Sequence, residues 1–204
     1  MNTTEDTLKI GLFGTCGGST WRDAFIKKYE TNKIGFFNPV VEDWDPSCAE
    51  VEAWNLAHDE ILIFPITKET YAAGSLSESG FSIMQGMKFS DRRDVIIMIE
   101  QELIPGLMPS DTEKILMKDM EARGIEKLEP ADKMIYRMVK KKADRAKDSL
   151  RSRALVNQHL KMLQLDTVFV VDTLQEALDV SMACYRARVS MNKWKKEFNP
   201  QNRG

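Results

Sequence analysis

The sequence predicts an α/β fold, a doubly wound, five-stranded parallel sheet of the Rossmann or flavodoxin-like kind with a long helical insertion before the last strand. Three observations lead there. Short apolar runs rich in β-type residues alternate with helix-length segments, the first run breaks into a glycine-rich loop before a helix, and one long charged stretch interrupts the alternation. Residues 9–13 (KIGLF) form the first run, followed by the loop Gly14-Thr15-Cys16-Gly17-Gly18-Ser19-Thr20 and a helical segment over 21–29. Residues 36–41 (FFNPVV) read as a second strand, with Pro39 suited to an edge or an end. A helix over 49–57 leads to 61–66 (ILIFPI), a continuous apolar run of the kind covered on both faces. A helix over 78–87 and a strand over 95–99 (VIIMI) follow.

The alternation then stops. Residues 111–164 are charged and rich in Met, Lys, Arg, Glu and Ala, with breaks around Gly124 and Pro130. They predict a helical insertion within a single domain spanning 1–204. From Ile135 the residues Val139, Ala143, Ala146, Leu150 and Ala154 recur at three- and four-residue spacing, so one stripe needs a surface to pack on. That predicts a lid or a subunit contact. A strand over 167–171 (TVFVV) and a helix over 174–187 resume the pattern. Each right-handed crossover lays its helix on a sheet face, so the strands run parallel.

Composition narrows the function classes. Lysine plus arginine (29) nearly balance aspartate plus glutamate (31), and a formal net charge of −2 provides no global attraction to nucleic acid or an anionic membrane. No stretch approaches the roughly 18 apolar residues of a membrane span, and the amino terminus lacks a basic segment followed by an apolar one. A cytoplasmic protein with a small-molecule partner is expected. Cys16, Cys48 and Cys184 are scattered and odd in number, which predicts reduced thiols rather than disulfides. Two histidines, His58 and His159, suggest no metal site. No cofactor is expected.

In a doubly wound sheet the ligand lies beyond the carboxyl ends of the strands, near the switch in strand order. That directs attention to the loops after the first three strands. The stretch Gly74-Ser75-Leu76-Ser77-Glu78-Ser79-Gly80 puts a carboxylate near the start of a helix, where the helix dipole favours the ionised form. Glu78 there can be a nucleophile, or the third member of a capping box begun by Ser75. The loop Gly14 to Thr20 offers backbone N–H groups and hydroxyls to a ligand, including an anionic one, although glycine at a turn is often a backbone requirement alone. It matches neither a P-loop nor a dinucleotide fingerprint. Asp43 and Trp44 can meet a base by hydrogen bonding and stacking, or form a polar surface loop. The basic run of Lys140, Lys141, Lys142 and Arg145 is interleaved with Asp144 and Asp148, the pattern of a solvated helix face.

The segment Gly74-x-x-x-Glu78-x-Gly80, followed by an apolar helix with Gln85-Gly86 and the strand VIIMI, resembles the nucleophile region of the nucleoside 2-deoxyribosyltransferases. His58-Asp59 before ILIFPI, Phe37-Asn38-Pro39 with Glu42-Asp43-Trp44, and Gly14-Thr15 with Trp21-Arg22 are similar to that family's other segments, in the same order. The resemblance covers about residues 8–100 and 151–180. It implies a transferase that attacks the sugar's anomeric carbon with Glu78 and passes the sugar to a second base, with Glu52 and Asp59 as further catalytic carboxylates. It also implies that Gly14, Thr15, Gly17, Gly18, Ser19, Asp43, Trp44, Gly74, Ser75 and Arg153 meet the substrate, while the unpartnered stripe of the insertion leads to the expectation of a homo-oligomer. The first loop is also similar to that of the deoxynucleoside 5′-monophosphate N-glycosidases, which makes nucleotide hydrolysis the alternative. Three departures mark the chain: no tyrosine near Leu12, Ala72 where a carboxylate precedes the nucleophile by six residues, and Val51 where a helix carboxylate precedes Asp59 by eight, with Glu50 and Glu52 beside it. A nucleotide-binding module without catalysis is the reading these departures favour from another class.

Overall fold

The computed structural model describes residues 8–43, 45–88 and 93–198. Strands β1 (Lys9–Leu12), β2 (Gly35–Phe37), β3 (Ile61–Ile66), β4 (Asp94–Ile99) and β5 (Val168–Val171) form one sheet in the order β2-β1-β3-β4-β5, with every neighbouring pair parallel. Helices α1 (Trp21–Thr31) and α6 (Leu174–Phe198) cover one face. Their Trp21, Phe25, Tyr29, Ala177, Leu178 and Met182 pack on Ile10, Leu12, Ile61, Ile63 and Ile96. Helices α2 (Pro46–His58), α3 (Ala73–Lys88) and α5 (Pro130–Leu163) serve the other face, where Leu56, Ile83, Val156 and Leu160 meet Phe13, Leu62, Phe64, Val95 and Ile97. This is the doubly wound α/β architecture. All six residues of β3 are buried, as a central strand covered on both faces requires.

The element boundaries differ from the sequence reading where pairing or packing decides them. β2 stops at Phe37 because its partner β1 offers three registered positions, ending at Gly11↔Phe37, so 38–41 with Pro39 lie in the following loop. α3 starts at Ala73, five residues earlier than the expected start at Glu78, and α6 continues to Phe198. The 111–164 stretch divides in two. The second half of α5 is the crossover helix between β4 and β5, and it packs on the sheet through Val156 and Leu160. The first half of α5 pairs with α4 (Asp111–Arg123) around a small core of Met120, Leu128 and Tyr136.

The predicted stripe on α5 is partly out of phase. Val139 and Ala146 are buried, whereas Ile135 and Ala154 are exposed, and Tyr136, Ser149, Arg153 and Leu160 complete the buried face. Two polar residues occupy the row that hydropathy assigns outward. Among the described residues, no helix is long and apolar enough to cross a membrane.

Pro65 lies within the central strand β3, a position where a missing N–H normally breaks a ladder. The cost is avoided because β1 has already ended. Pro65 accepts a hydrogen bond from Thr15 N–H at 2.9 Å, so this edge of the residue faces the departing chain at Gly14 and Thr15 rather than a paired strand. Gly14 has a φ of +107°, and a Cβ there would lie 2.6 Å from the Pro65 carbonyl oxygen. Only glycine lets the two backbones approach so closely. Gly14→Ala should therefore destabilise the fold by about 2 kcal/mol or more, measured by denaturant unfolding, since both the conformation and the space are wrong for a methyl group. A loss below 0.5 kcal/mol would show that the junction relaxes.

Candidate functional site

The loops after β1 and β3 part at this junction, at the carboxyl edge and at the switch in strand order where α/β folds place ligands. The first loop is tied down from both sides. Thr15 is buried and its hydroxyl accepts from Thr67 N–H at 2.9 Å. Arg22, 4 % exposed, donates from Nε to Leu12 O at 3.0 Å, from Nη1 to Thr15 O at 2.6 Å and from Nη2 to Gly14 O at 3.3 Å. The Trp21 ring lies 4.4 Å from the guanidinium carbon and its Nε1 donates to the same Thr15 carbonyl at 3.0 Å. Gly17 and Gly18, with φ of +71° and +92°, carry the loop round; Gly17 rests against Thr70, and Gly18 faces open space.

Three charged groups converge below this loop. Glu78 on α3, Glu52 on α2 and Arg22 on α1 act on one another electrostatically. Burial and then the Glu52 charge push the Glu78 carboxyl above the usual glutamate range, opposed by Arg22; burial raises Glu52 as well, again opposed by Arg22. Glu78 lies in the second turn of α3, and its Oε1 reaches back to within 3.9 Å of where a Gly74 Cβ would be. Gly74 thus leaves room beside the carboxylate. Ser75 is the third helical residue and is buried, so it is not an N-cap and forms no capping box with Glu78. Capping boxes are formed instead by Ser110 with Glu113 at the start of α4 and by Thr173 with Glu176 at the start of α6.

Arg153 is not free to meet a ligand. Its side chain is fully buried, and all five N–H donors of a guanidinium are used: Nε on Ser149 Oγ at 3.2 Å, Nη1 on the Ile66 and Glu100 carbonyls at 3.1 and 2.8 Å, and Nη2 on the Thr67 and Thr70 carbonyls at 2.9 and 2.7 Å. Ser149 Oγ in turn donates to Tyr71 O at 2.9 Å. The pair holds the loop that leads into α3, so Arg153 acts on the site through main chain, and the expected contact with substrate is corrected.

Asp59 also stands apart from the other two carboxylates. It follows the carboxyl end of α2 at the start of β3, the opposite edge of the sheet from the Gly14 loop, and the charges acting on it are Lys9, Glu60, Arg93 and His58. Its Oδ2 is buried without a hydrogen-bond partner. Asp43 is exposed in the loop after β2, and Trp44 lies outside the described residues. Asp45 caps α2 by accepting from Ser47 N–H at 2.7 Å, which orients the helix that carries Glu52. Ser19 Oγ lies 3.1 Å from Thr67 Oγ1 and donates to Glu69 Oε2 at 3.3 Å, joining the two loops. A mostly apolar cleft of about 550 Å³ between α3 and α5, lined by Leu76, Phe81, Met84, Val156 and Leu163 with Ser77 and His159, opens on the face of α3 away from Glu78 and has no carboxylate in its lining.

No family model matches the chain, and no curated protein matches its sequence.

Arg22 and Glu69 belong to this edge too, Arg22 within the Trp21-Arg22 segment of the resemblance but without a role assigned to it, and Glu69 without a motif to mark it. Arg22 was legible in one respect: it shares three- and four-residue spacing with Phe25 and Tyr29, so a cation falls on the buried face of α1. Glu69 has no such signal, because its position depends on how two loops meet.

Two stability predictions follow from these placements. Arg153→Ala strands four carbonyls and a hydroxyl, and should cost on the order of 4 kcal/mol in urea unfolding; a loss under 1 kcal/mol would mean water replaces the guanidinium. For Asp59, burial raises the folded-state pKa from the ordinary 3.8 to about 6. The folded state holds that proton more tightly than the unfolded chain, so the ionised form penalises folding increasingly from pH 4 to 6 and fully above it, by up to about 3 kcal/mol. Asp59→Asn should melt above the wild type at pH 7.5, with the difference closing by pH 4. A pH-independent difference would refute the assignment.

Proposed function

We propose that the chain is a glycosyl-transfer enzyme that cleaves the N-glycosidic bond of a (deoxy)nucleoside through a covalent glutamyl-sugar intermediate. The observation that carries the proposal is the pair of half-buried carboxylates Glu78 and Glu52 facing the buried Arg22 near the switch point, beside a glycine loop. Two carboxylates with opposed needs and a cation beside them suit a reaction in which one attacks and the other carries a proton.

In this reading a Glu78 oxygen attacks the anomeric carbon as the bond to the base nitrogen breaks. The electron pair passes to the base, which takes a proton from Glu52. In the second half-reaction an acceptor base attacks the same carbon, the bond to Glu78 breaks and the proton returns to Glu52. Arg22 balances the negative charge of the pair while its N–H groups keep the Gly14 to Thr15 backbone in place. Gly74 provides space for the sugar beside the carboxylate. Asp43 is positioned on the loop after the edge strand, where a base can enter. Asp59 takes no part in the chemistry, and water in place of the acceptor base would make the same site an N-glycosidase.

Glu78→Ala should abolish base exchange, a loss of several orders of magnitude measured by chromatography of bases, while the melting temperature changes little because Glu78 caps nothing. The rate should follow a bell-shaped pH profile. The active form is the singly protonated pair with its proton on Glu52, so the acidic limb follows the first proton lost from the pair and the alkaline limb the second, which burial and the charge already on its neighbour hold above the ordinary glutamate value of 4.5. Glu52→Gln should lower the rate and remove the alkaline limb, since a single ionisable carboxylate remains. Activity of Glu78→Ala within tenfold of wild type, or no base release from any nucleoside, would end this reading.

A further inference from the structure

We propose that Glu69 makes this site select a nucleoside with a free 5′ hydroxyl and reject the 5′-monophosphate. The inference rests on the reading that the Gly14 to Thr20 loop faces the sugar's 5′ end. A glycine loop before a helix suggests an anion site, and the sequence alone allows that expectation. The tertiary structure puts a carboxylate against the loop instead. Ser19 Oγ, one of the hydroxyls a phosphate would use, donates to Glu69 Oε2 at 3.3 Å, and Gly17 rests on Thr70, the next residue in the chain. Hydrogen bonds from Thr67, from its own N–H and from Ser19, together with the Lys68 charge, outweigh partial burial and keep the Glu69 carboxyl below the usual glutamate range, so it is ionised at neutral pH.

The two arginines near this region are spent on main chain. Arg22 donates to the Leu12, Gly14 and Thr15 carbonyls, and its charge is shared with Glu52 and Glu78. All five Arg153 donors are spent on Ser149 and four carbonyls, and its charge faces Glu100 and Glu69. Lys68 is exposed beside Glu69, and its main-chain N–H donates to the Glu100 carboxylate at 2.6 Å. A phosphate entering here meets a carboxylate that already holds the Ser19 hydroxyl, and two like charges within a few ångströms repel. A hydroxyl, by contrast, can donate to the free lone pairs of Glu69.

The test is calorimetric binding of the four common 2′-deoxynucleosides and their 5′-monophosphates to wild type and to Glu69→Gln, at 20 and 300 mM salt, with base release measured in parallel. The wild type should favour a nucleoside over its monophosphate at least tenfold, more at low salt, where repulsion is least screened. Glu69→Gln should shrink that ratio about tenfold, mainly by tighter monophosphate binding. If Glu69→Gln does not fold, Glu69→Ala and the salt dependence of the wild-type ratio provide the same comparison. Monophosphate binding equal to or tighter than nucleoside binding in the wild type overturns the inference, as does a ratio in the variant within twofold of wild type. Selective nucleoside binding without base release supports Glu69 as the selector and refutes the catalytic reading. Binding of neither class overturns both.

Discussion

The edge of the sheet that carries the site depends on one buried cation. Arg153 crosses from α5 to the ends of β3 and β4 and donates to the Ile66, Thr67, Thr70 and Glu100 carbonyls. A chain that leaves a central strand, loops and re-enters as a helix exposes carbonyls that neither ladder nor helix satisfies, and burying them unpaired costs about 1–3 kcal/mol each. A planar guanidinium can satisfy several such carbonyls at once because its donors diverge in one plane. With Ser149 on Tyr71 O, that arrangement sets where α3 begins and hence where Glu78 points.

A second cation does the same work on the first loop. Arg22 collects the carbonyls of Leu12, Gly14 and Thr15 from the opposite face of the sheet. The Gly14 and Pro65 backbones then fit together where β1 leaves β3, with Thr15 joined to Pro65 and Thr67. The crevice therefore has walls made of main chain, and its charged contents are the buried Arg22 and the half-buried Glu52 and Glu78. Burial also explains the electrostatics: Glu78 and Glu52 are pushed up because they lose water, and the charge of Arg22 limits that rise.

The 111–164 stretch shows how one segment can serve two purposes. The carboxyl half of α5 is an ordinary crossover helix, seated on the sheet by Val156 and Leu160. Its amino half extends beyond that contact and pairs with α4 around Met120, Leu128 and Tyr136, with Lys142 and Glu113 linked at 3.1 Å. The polar residues Ser149 and Arg153 lie between the two halves, on the buried face.

The sequence by itself determined the architecture. The apolar runs at 9–13, 61–66, 95–99 and 167–171 mark strands because central parallel strands must be apolar on both faces, and the glycine loop and Glu78 fall at a strand-to-helix transition that α/β folds use for ligands. It did not determine which polar residues meet. Asp59 and Glu52 look equivalent as carboxylates near one strand, yet α2 is long enough to bring Glu52 beside Glu78 while Asp59 falls at the far edge. Arg153 reads as a ligand and is a clamp, because a cation's partners are carbonyls whose exposure depends on where a strand ends. Ser19 reads as part of an anion loop and is turned toward Glu69 by the meeting of two loops about 50 residues apart in sequence. Periodicity records which side of an element is buried; the pairing of charges across elements depends on distances that only the packed chain sets.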